Sequence, residues 1–327
     1  MTRRWTWDFE DEQAAAPTPS RPRLGLPSRP VLGPPVGRRE LASHHRRRRS
    51  AAVLVGVALL IALIAALAGS GGGARSSHSR SAAPPQPRGT SPAPPRNLEA
   101  EGNAAVNKVL AYTPFVRAGG GASKDIALTF DDGPGPYTPE VLDVLERFHA
   151  HATFFSIGRM ERYFSVSSAR EIRRGDVIGD HTQSHPHLAL LSAHEQHEEL
   201  FEPLLRFEFL GADRATLFRP PYGSYNATTV RELHQLHLLM VLWSADTEDY
   251  LQPGVPVIVQ RALEGAKPGA ILLMHDGGGT RTQTVAALPL IITKLRKLGY
   301  NLVTVPELLM HDPPPAGQTL PPNLAGD

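Results

Sequence analysis

The chain of 327 residues contains no cysteine. No disulfide staples the fold and no thiolate can hold a metal, so a metal site here has to be built from histidine and carboxylate. Absence of thiols also suits an oxidising exterior, where a stray thiol is a liability. Charge is missing altogether from residues 51–70, and the net charge of +2 hides a strong imbalance elsewhere. Residues 1–50 stand at +6, residues 71–100 at +3 and residues 101–327 at −7. Binding of nucleic acid by the main domain would need a basic face. Its acidic balance argues against that class of partner.

The uncharged stretch is Ala51 to Gly69, AAVLVGVALLIALIAALAG. At about 1.5 Å per residue a helix of this length spans roughly the ~30 Å hydrocarbon core of a bilayer. His44, His45 and Arg46 to Arg49 precede it. Such a positive cluster stays cytoplasmic and sends the C-terminal side outward. The reading is a single-pass signal anchor in the cell membrane, with the C-terminal domain extracytoplasmic. Ala66-Leu67-Ala68 resembles a cleavage site, so a removed signal peptide is the alternative. Residues 1–50 are rich in Pro and Arg with few aliphatics and read as a disordered cytoplasmic tail. Within them, Trp5, Trp7 and Phe9 beside acidic residues offer a short docking motif as the alternative to a structureless tail. Residues 70–98, rich in Gly, Ser and Pro, read as an extended linker. Residues 312–327 read as a second, Pro-rich disordered tail.

Between these segments, residues 99–311 form the folded domain. Short apolar runs alternate there with helix-period segments, the pattern of strand–helix units around a parallel sheet or barrel. Strands are predicted at 126–130, 152–157, 176–179, 216–218, 238–244, 270–274 and 301–305. Thr138 with Pro139 behind it predicts a capped helix start. Ser192 with Glu195 predicts a capping box. Further helices are predicted up to Arg174 and over about 226–236, 256–265 and 283–298. Seven or so strands fit an α/β fold of distorted (β/α)-barrel type better than an open two-sided sheet.

Chemical groups recur where these strands end. Asp131-Asp132-Gly133-Pro134 follows the first, and His181 and His185 follow the third. Arg219-Pro220-Pro221-Tyr222, then Asp246 and Asp249, then His275 follow later ones. In parallel barrels the loops after strand C-termini build the active site. Two histidines and one carboxylate are a usual ligand set for a catalytic divalent ion that keeps one position open. Taken singly, each fragment has a plain alternative: Asp-Asp-Gly-Pro is also a common surface turn. His194 and His197 share a ligand-like spacing but lie on the Glu-rich capped helix, where a solvated face is the better reading.

Taken in order, TFDDGP (129–134), HTQSH (181–185), RPPY (219–222), DTEDY (246–250) and LMH (273–275) resemble the five motifs of the polysaccharide deacetylases, carbohydrate esterase family 4. The resemblance covers about residues 123–310. It implies a distorted (β/α) barrel and metal-dependent removal of acetyl groups from N-acetylated glycans such as peptidoglycan or a chitin-like polymer. By position it makes Asp132, His181 and His185 the metal ligands, for Zn2+ with Co2+ or Ni2+ as alternatives. Asp131 matches the catalytic base and Arg219 its partner. The Tyr222 backbone N–H matches the oxyanion donor, His275 the general acid and Asp249 the carboxylate that tunes it. Leu273, Tyr250 and Pro221 match substrate-binding positions.

Two departures from the pattern stand out. Tyr250 replaces the tryptophan that usually closes the fourth motif, which touches substrate preference more than catalysis. Asp180 replaces the asparagine often found before His181. It would either tighten metal binding or orient His181 from behind, and the second is preferred. The sequon Asn226-Ala227-Thr228 is read as chance. Two rival functions are an O-acetyl esterase on a xylan-type polysaccharide and a non-catalytic glycan-binding wall protein of the same fold. The second would need a missing catalytic group, and every one is present. Oligomeric state has no signature in the sequence.

Overall fold

In the computed structural model, residues 98–212 and 215–322 are described. In chain order they form α1 (Leu98–Leu110), β1 (Phe115–Val116), β2 (Asp125–Asp131), α2 (Thr138–Arg147), β3 (Thr153–Ser156), α3 (Glu161–Arg174), β4 (Val177–Asp180), α4 (Ala193–Phe209), β5 (Leu217–Phe218), α5 (Ala227–Leu236), β6 (Leu239–Val241), β7 (Ala245–Asp246), α6 (Val255–Glu264), β8 (Ile271–His275), α7 (Thr282–Lys297), β9 (Asn301–Val303) and α8 (Val305–His311). The strands make one parallel sheet in the order β1-β6-β5-β4-β3-β2-β8-β7, with β9 on β2. The sheet curls, and at its lower rim Ala118 bridges Ala270 in antiparallel fashion, with Gly119 N–H donating to the Gly269 carbonyl at 2.8 Å.

Strand alternation assigns each side chain to one of the two faces of the sheet, because successive residues point to opposite faces. On β2, Ile126, Leu128 and Phe130 pack outward with Phe154, Leu272 and Met274 against helices α2, α6 and α7. Ala127 belongs to the other cluster, with Phe155, Leu217, Leu239, Val241 and Ile271, inside the curl. Val106 and Val109 of α1 and Leu308 and Leu309 of α8 plug that interior from below. A third cluster packs β4, β5 and β6 under α4 and α5. Two residues further along the chain the same inward parity carries Arg219, Trp243 and Leu273 to the upper mouth, and four residues further Asp131 and His275. Parity and strand length thus place the functional groups.

Several expectations need correction. Nine strands form among the described residues, not about seven. β1 is too short to give a periodic signal. The run 238–244 does not continue as one strand: β6 stops at Val241, and the chain crosses to pair β7 with β8. The stretch expected to remain strand to 305 ends at Val303, because Thr304 and Glu307 form a capping box that starts α8. Thr138 is not the cap of α2, which is Tyr137. The Thr138 hydroxyl accepts from Gly135 N–H at 2.7 Å and donates to Asp276 instead. The capping box of Ser192 and Glu195 forms as read. Asn226 of the sequon caps α5, accepting from the Thr228 and Thr229 N–H groups. Residues 312–322 lie against the domain: Asp312 accepts from the Ala122 and Ser123 N–H groups at 2.7 and 2.9 Å, and the Tyr225 hydroxyl meets the Pro321 carbonyl. The expected membrane span 51–69, the tail before it and the linker up to residue 97 lie outside the described residues. Among the described residues no helix is long and apolar enough to cross a membrane.

Candidate active site

β2 delivers two adjacent carboxylates to one place by abandoning the strand. Asp131 is its last residue, and Asp132 takes a left-handed φ of 73°. That conformation is unfavourable for a residue with a side chain and persists where the surroundings enforce it. The turn packs under Gly277, where a Cβ would sit 2.1 Å from the Asp132 carbonyl oxygen. Only glycine fits there.

Asp132, His181 and His185 form one buried group whose ligand atoms all lie within 4.8 Å of one another. The Nε2 atoms of His181 and His185 face Asp132 Oδ1 at 3.5 and 3.0 Å. That oxygen is buried and has no hydrogen-bond donor. Each imidazole is oriented through its other nitrogen. His181 Nδ1 lies 2.7 Å from the Arg219 carbonyl, and His185 Nδ1 lies 3.2 Å from the Tyr222 hydroxyl. A carbonyl can only accept, so the His181 proton sits on Nδ1 and Nε2 is left as a lone pair, the arrangement a metal ligand needs. Burial lowers the pKa of His185, which favours the neutral, ligating form. Burial works against the charge of Asp132, yet the His185 and His181 rings hold its pKa well below the usual carboxylate value. The donor set and the orphaned oxygen therefore fit a divalent cation.

Asp131 stands beside this group, its Oδ2 3.8 Å from His181 Nε2. Arg219 grips the other oxygen: Nη1 donates to Asp131 Oδ1 at 2.7 Å and to Thr129 Oγ1 at 2.8 Å. Arg219 is wholly buried, donates from Nε to the Val241 carbonyl at 3.0 Å and lies 4.1 Å over the Phe155 ring. Gly179 makes room for that ring, since a Cβ there would come within 2.7 Å of it.

β8 is in register with β2, so His275 pairs directly with Asp131. Its Nδ1 is 2.8 Å from Asp249 Oδ1, and its backbone N–H donates to Asp249 Oδ2 at 2.9 Å. The Thr284 hydroxyl donates to the same Oδ2 at 2.6 Å. Burial opposes the imidazolium, but the Asp249 charge and hydrogen bond outweigh it, raising the His275 pKa to about 9. Asp249 is kept below its ordinary value against the cost of burial by His275 and then Thr284.

These groups open into one pocket of about 440 Å³ lined by Asp131, Asp132, His181, His185, Tyr222 and His275, with Leu273 and Tyr250 among its walls. Tyr250 meets the His275 ring edge-on at 5.2 Å. Burial, then the nearby Asp246, raises its pKa to about 12, so it presents a neutral hydroxyl. Pro220 lines the pocket, not Pro221, which is buried at the start of a turn whose next residue, Tyr222, has φ 60°. Asp180 takes neither role read for it. Its Oδ1 braces the Thr182 N–H at 2.8 Å, while the Arg219 carbonyl orients His181. Burial raises the Asp180 pKa well above normal. His194 and His197 meet Glu198 and Glu232 on the outer helices, away from the pocket.

Trp243, His187 and Arg281 are among the lining residues that sequence reasoning missed. Trp243 carried a signal, since it shares the inward parity of Val241. His187, stacked on Tyr222 at 4.0 Å, followed the His-rich motif by two residues. Arg281 had none: it is buried by donating to the Gly277, Gly278 and Thr280 carbonyls, contacts no periodicity encodes.

A curled parallel α/β sheet with a 2-His-1-Asp group flanked by an Asp–Arg pair and a His–Asp pair defines a metal-dependent hydrolase. A family model described as polysaccharide deacetylase matches residues 118–241. A peptidoglycan-N-acetylglucosamine deacetylase of Bacillus cereus is 41% identical over 191 residues, 58% of this chain and 89% of that protein. A chitooligosaccharide deacetylase of Sinorhizobium fredii is 32% identical over 61% of this chain and 99% of its own length. The crystal structure of a peptidoglycan N-acetylglucosamine deacetylase bound to a naphthalenyl N-hydroxybenzamide aligns with a TM-score of 0.59 at 31% identity, covering 63% of this chain and 96% of that one. The chain belongs to the polysaccharide deacetylase family, carbohydrate esterase family 4. Asp249, Tyr250, Leu273 and His275 lie beyond the matched segment; the structure brings Tyr250, Leu273 and His275 to the same pocket as the rest, with Asp249 bonded behind His275.

Proposed function

We propose that the protein removes N-acetyl groups from cell-wall glycan of the peptidoglycan or chitin type. The observation that carries this reading is a buried carboxylate held by Arg219 and a buried imidazole held by Asp249 in the same pocket as the three metal-compatible residues. Asp132, His181 and His185 would hold the ion, Zn2+ by donor type with Co2+ or Ni2+ as alternatives. It would polarise the acetyl carbonyl and make a water more acidic. Asp131, fixed by Arg219, takes the proton from the attacking water. The Tyr222 backbone N–H would donate to the oxyanion, a contribution of about 3 kcal/mol per donor in other enzymes. Leu273 offers an apolar wall for the acetyl methyl. An amine is a poor leaving group until protonated, and the His275 imidazolium held by Asp249 supplies that proton. The presence of this acid favours amide over ester substrates.

The purified full chain incubated with N-acetylated chitooligomers or peptidoglycan fragments releases acetate, and chelation abolishes the release. More release from acetylated xylan than from either N-acetyl substrate would instead support the esterase. Independently of turnover, Zn2+ at about 100 times its Kd stabilises the folded protein by about 2.7 kcal/mol. A thermal melt reads this as a raised Tm in the wild type and no shift in His181→Ala.

The acid role has its own test. In Asp249→Asn the imidazolium loses its charged partner, so the His275 pKa falls and the proton leaves at lower pH. The alkaline limb of the kcat/KM profile moves down by about 1–2 pH units, the scale of a close opposite charge. An unmoved limb would exclude His275 as the titrating acid.

We also propose that residues 51–69 anchor the chain in the cell membrane with the domain outside and residues 1–50 in the cytoplasm. The uncharged 19-residue run behind four arginines supports it. Protease added to intact cells should digest the domain and spare the N-terminal tail. Protection of the domain would reverse the topology.

A further inference from the structure

Beside the catalytic pocket lies a second groove of about 560 Å³ that shares no lining residue with it. It runs between the turn before α3 and the C-terminal half of α4. Arg159, Arg162 and Arg206 line it against a single acid, Glu202. Tyr163 and Phe209 form its rims and are 61% and 80% exposed. The Arg206 guanidinium faces the Phe209 ring at 5.6 Å. Three cations converging on one groove are out of keeping with residues 101–327, whose net charge is −7.

The floor of this groove is tied to the metal-compatible loop. Gly158 N–H donates to the Thr182 carbonyl at 3.0 Å and Arg159 N–H to the Gln183 carbonyl at 3.1 Å. Thr182 and Gln183 lie between His181 and His185. A Cβ on Gly158 would come within 2.2 Å of Gln183 Oε1, so the two segments are pressed together. A polymer lying in the groove is therefore held next to the loop that carries both histidines.

We propose that this groove binds the carboxylate-bearing part of an acidic glycan, so that the enzyme favours acidic over neutral N-acetylated polymer. Guanidinium forks match carboxylate geometry, and exposed aromatic rims offer flat apolar faces to sugar rings. The inference rests on the deacetylase reading and narrows its substrate to peptidoglycan-type strands with peptide carboxylates.

The test compares the wild-type full chain with Arg162→Ala/Arg206→Ala. Substrates are peptidoglycan fragments with free carboxylates, the same fragments amidated, and neutral N-acetylchitooligomers. The wild type should show a lower KM for the free-carboxylate fragments than for the amidated ones, with the gap closing as salt rises. In the double variant that KM rises about tenfold, the scale of two exposed charge contacts, while kcat and KM on chitooligomers stay unchanged. Equal wild-type KM values for free and amidated fragments, or an equal loss on all three substrates, would overturn the proposal. Calorimetric binding of the free-carboxylate fragments separates this from the reaction itself. If no substrate releases acetate yet the double variant loses binding, the deacetylase reading fails and the groove stands. A dimer of the wild type that the double variant dissolves would assign the groove to self-association and overturn it.

Discussion

Asp131→Asn lowers kcat for acetate release by about 10²–10⁴-fold, the usual contribution of a positioned general base, and leaves the Zn2+-induced rise in Tm intact. Asparagine keeps the size of the side chain and an oxygen that accepts from Arg219 Nη1, so the bond at 2.7 Å can persist. What it loses is the ability to take a proton. The loss corresponds to about 3–5 kcal/mol of transition-state stabilisation. Metal stabilisation separates the two adjacent carboxylates. Asp132 Oδ1 is the oxygen facing both His Nε2 atoms, whereas Asp131 Oδ2 stands 3.8 Å from His181 Nε2 and its Oδ1 is held by Arg219. Asp132→Asn should therefore weaken the Tm shift, and Asp131→Asn should not. A loss of activity below tenfold would remove Asp131 as the base. Disappearance of the Tm shift in Asp131→Asn would make it a ligand.

Arg219→Met destabilises the metal-free protein by about 3–5 kcal/mol, the cost of breaking a buried ion pair from one side. The guanidinium is fully buried and organises four strands at once. It bonds Thr129 and Asp131 of β2, the Val241 carbonyl of β6 and lies on Phe155 of β3, while its own backbone continues β5. Methionine fills much of the volume but leaves the Asp131 carboxylate and the Val241 carbonyl without their donor. Its main chain also presents the carbonyl that orients His181, so a shift of residue 219 should weaken Zn2+ stabilisation as well. Urea unfolding of wild type and variant, with EDTA present, measures the difference. A change below about 1 kcal/mol would show that the pair contributes no more than a surface salt bridge. Arg219→Lys keeps the charge but cannot span Thr129, Asp131 and Val241 together. It should fall between the two.

The reading from sequence and the structure agree where the information is local. Strand runs such as IALTF, the capping box of Ser192 and Glu195, and the fixed spacing of His181 and His185 depend on residues close in the chain. Each was legible because hydrophobic period, cap chemistry and strand-end loops are short-range rules. Thr138 shows where local rules yield. Its sequence context makes it a helix cap, but buried Asp276, 138 residues away, takes its hydroxyl instead. The Asp180 reading failed for the same reason: the carbonyl that holds His181 belongs to residue 219, contributed by another strand. Arg281 and the groove of Arg159, Arg162 and Arg206 lay beyond any motif, since they arise where separate loops and helices meet.

By itself, then, the sequence determined which residues are candidates for the chemistry, the parallel α/β class and the order of the five motifs. It did so because residue type and spacing set donor chemistry and the periodicity of each strand and helix. Only the tertiary structure decided which of two neighbouring carboxylates faces the histidines, what holds each imidazole and where the acidic domain gathers its positive groove. Those outcomes depend on strand register and on the left-handed turn at Asp132, which bring together atoms distant in the chain.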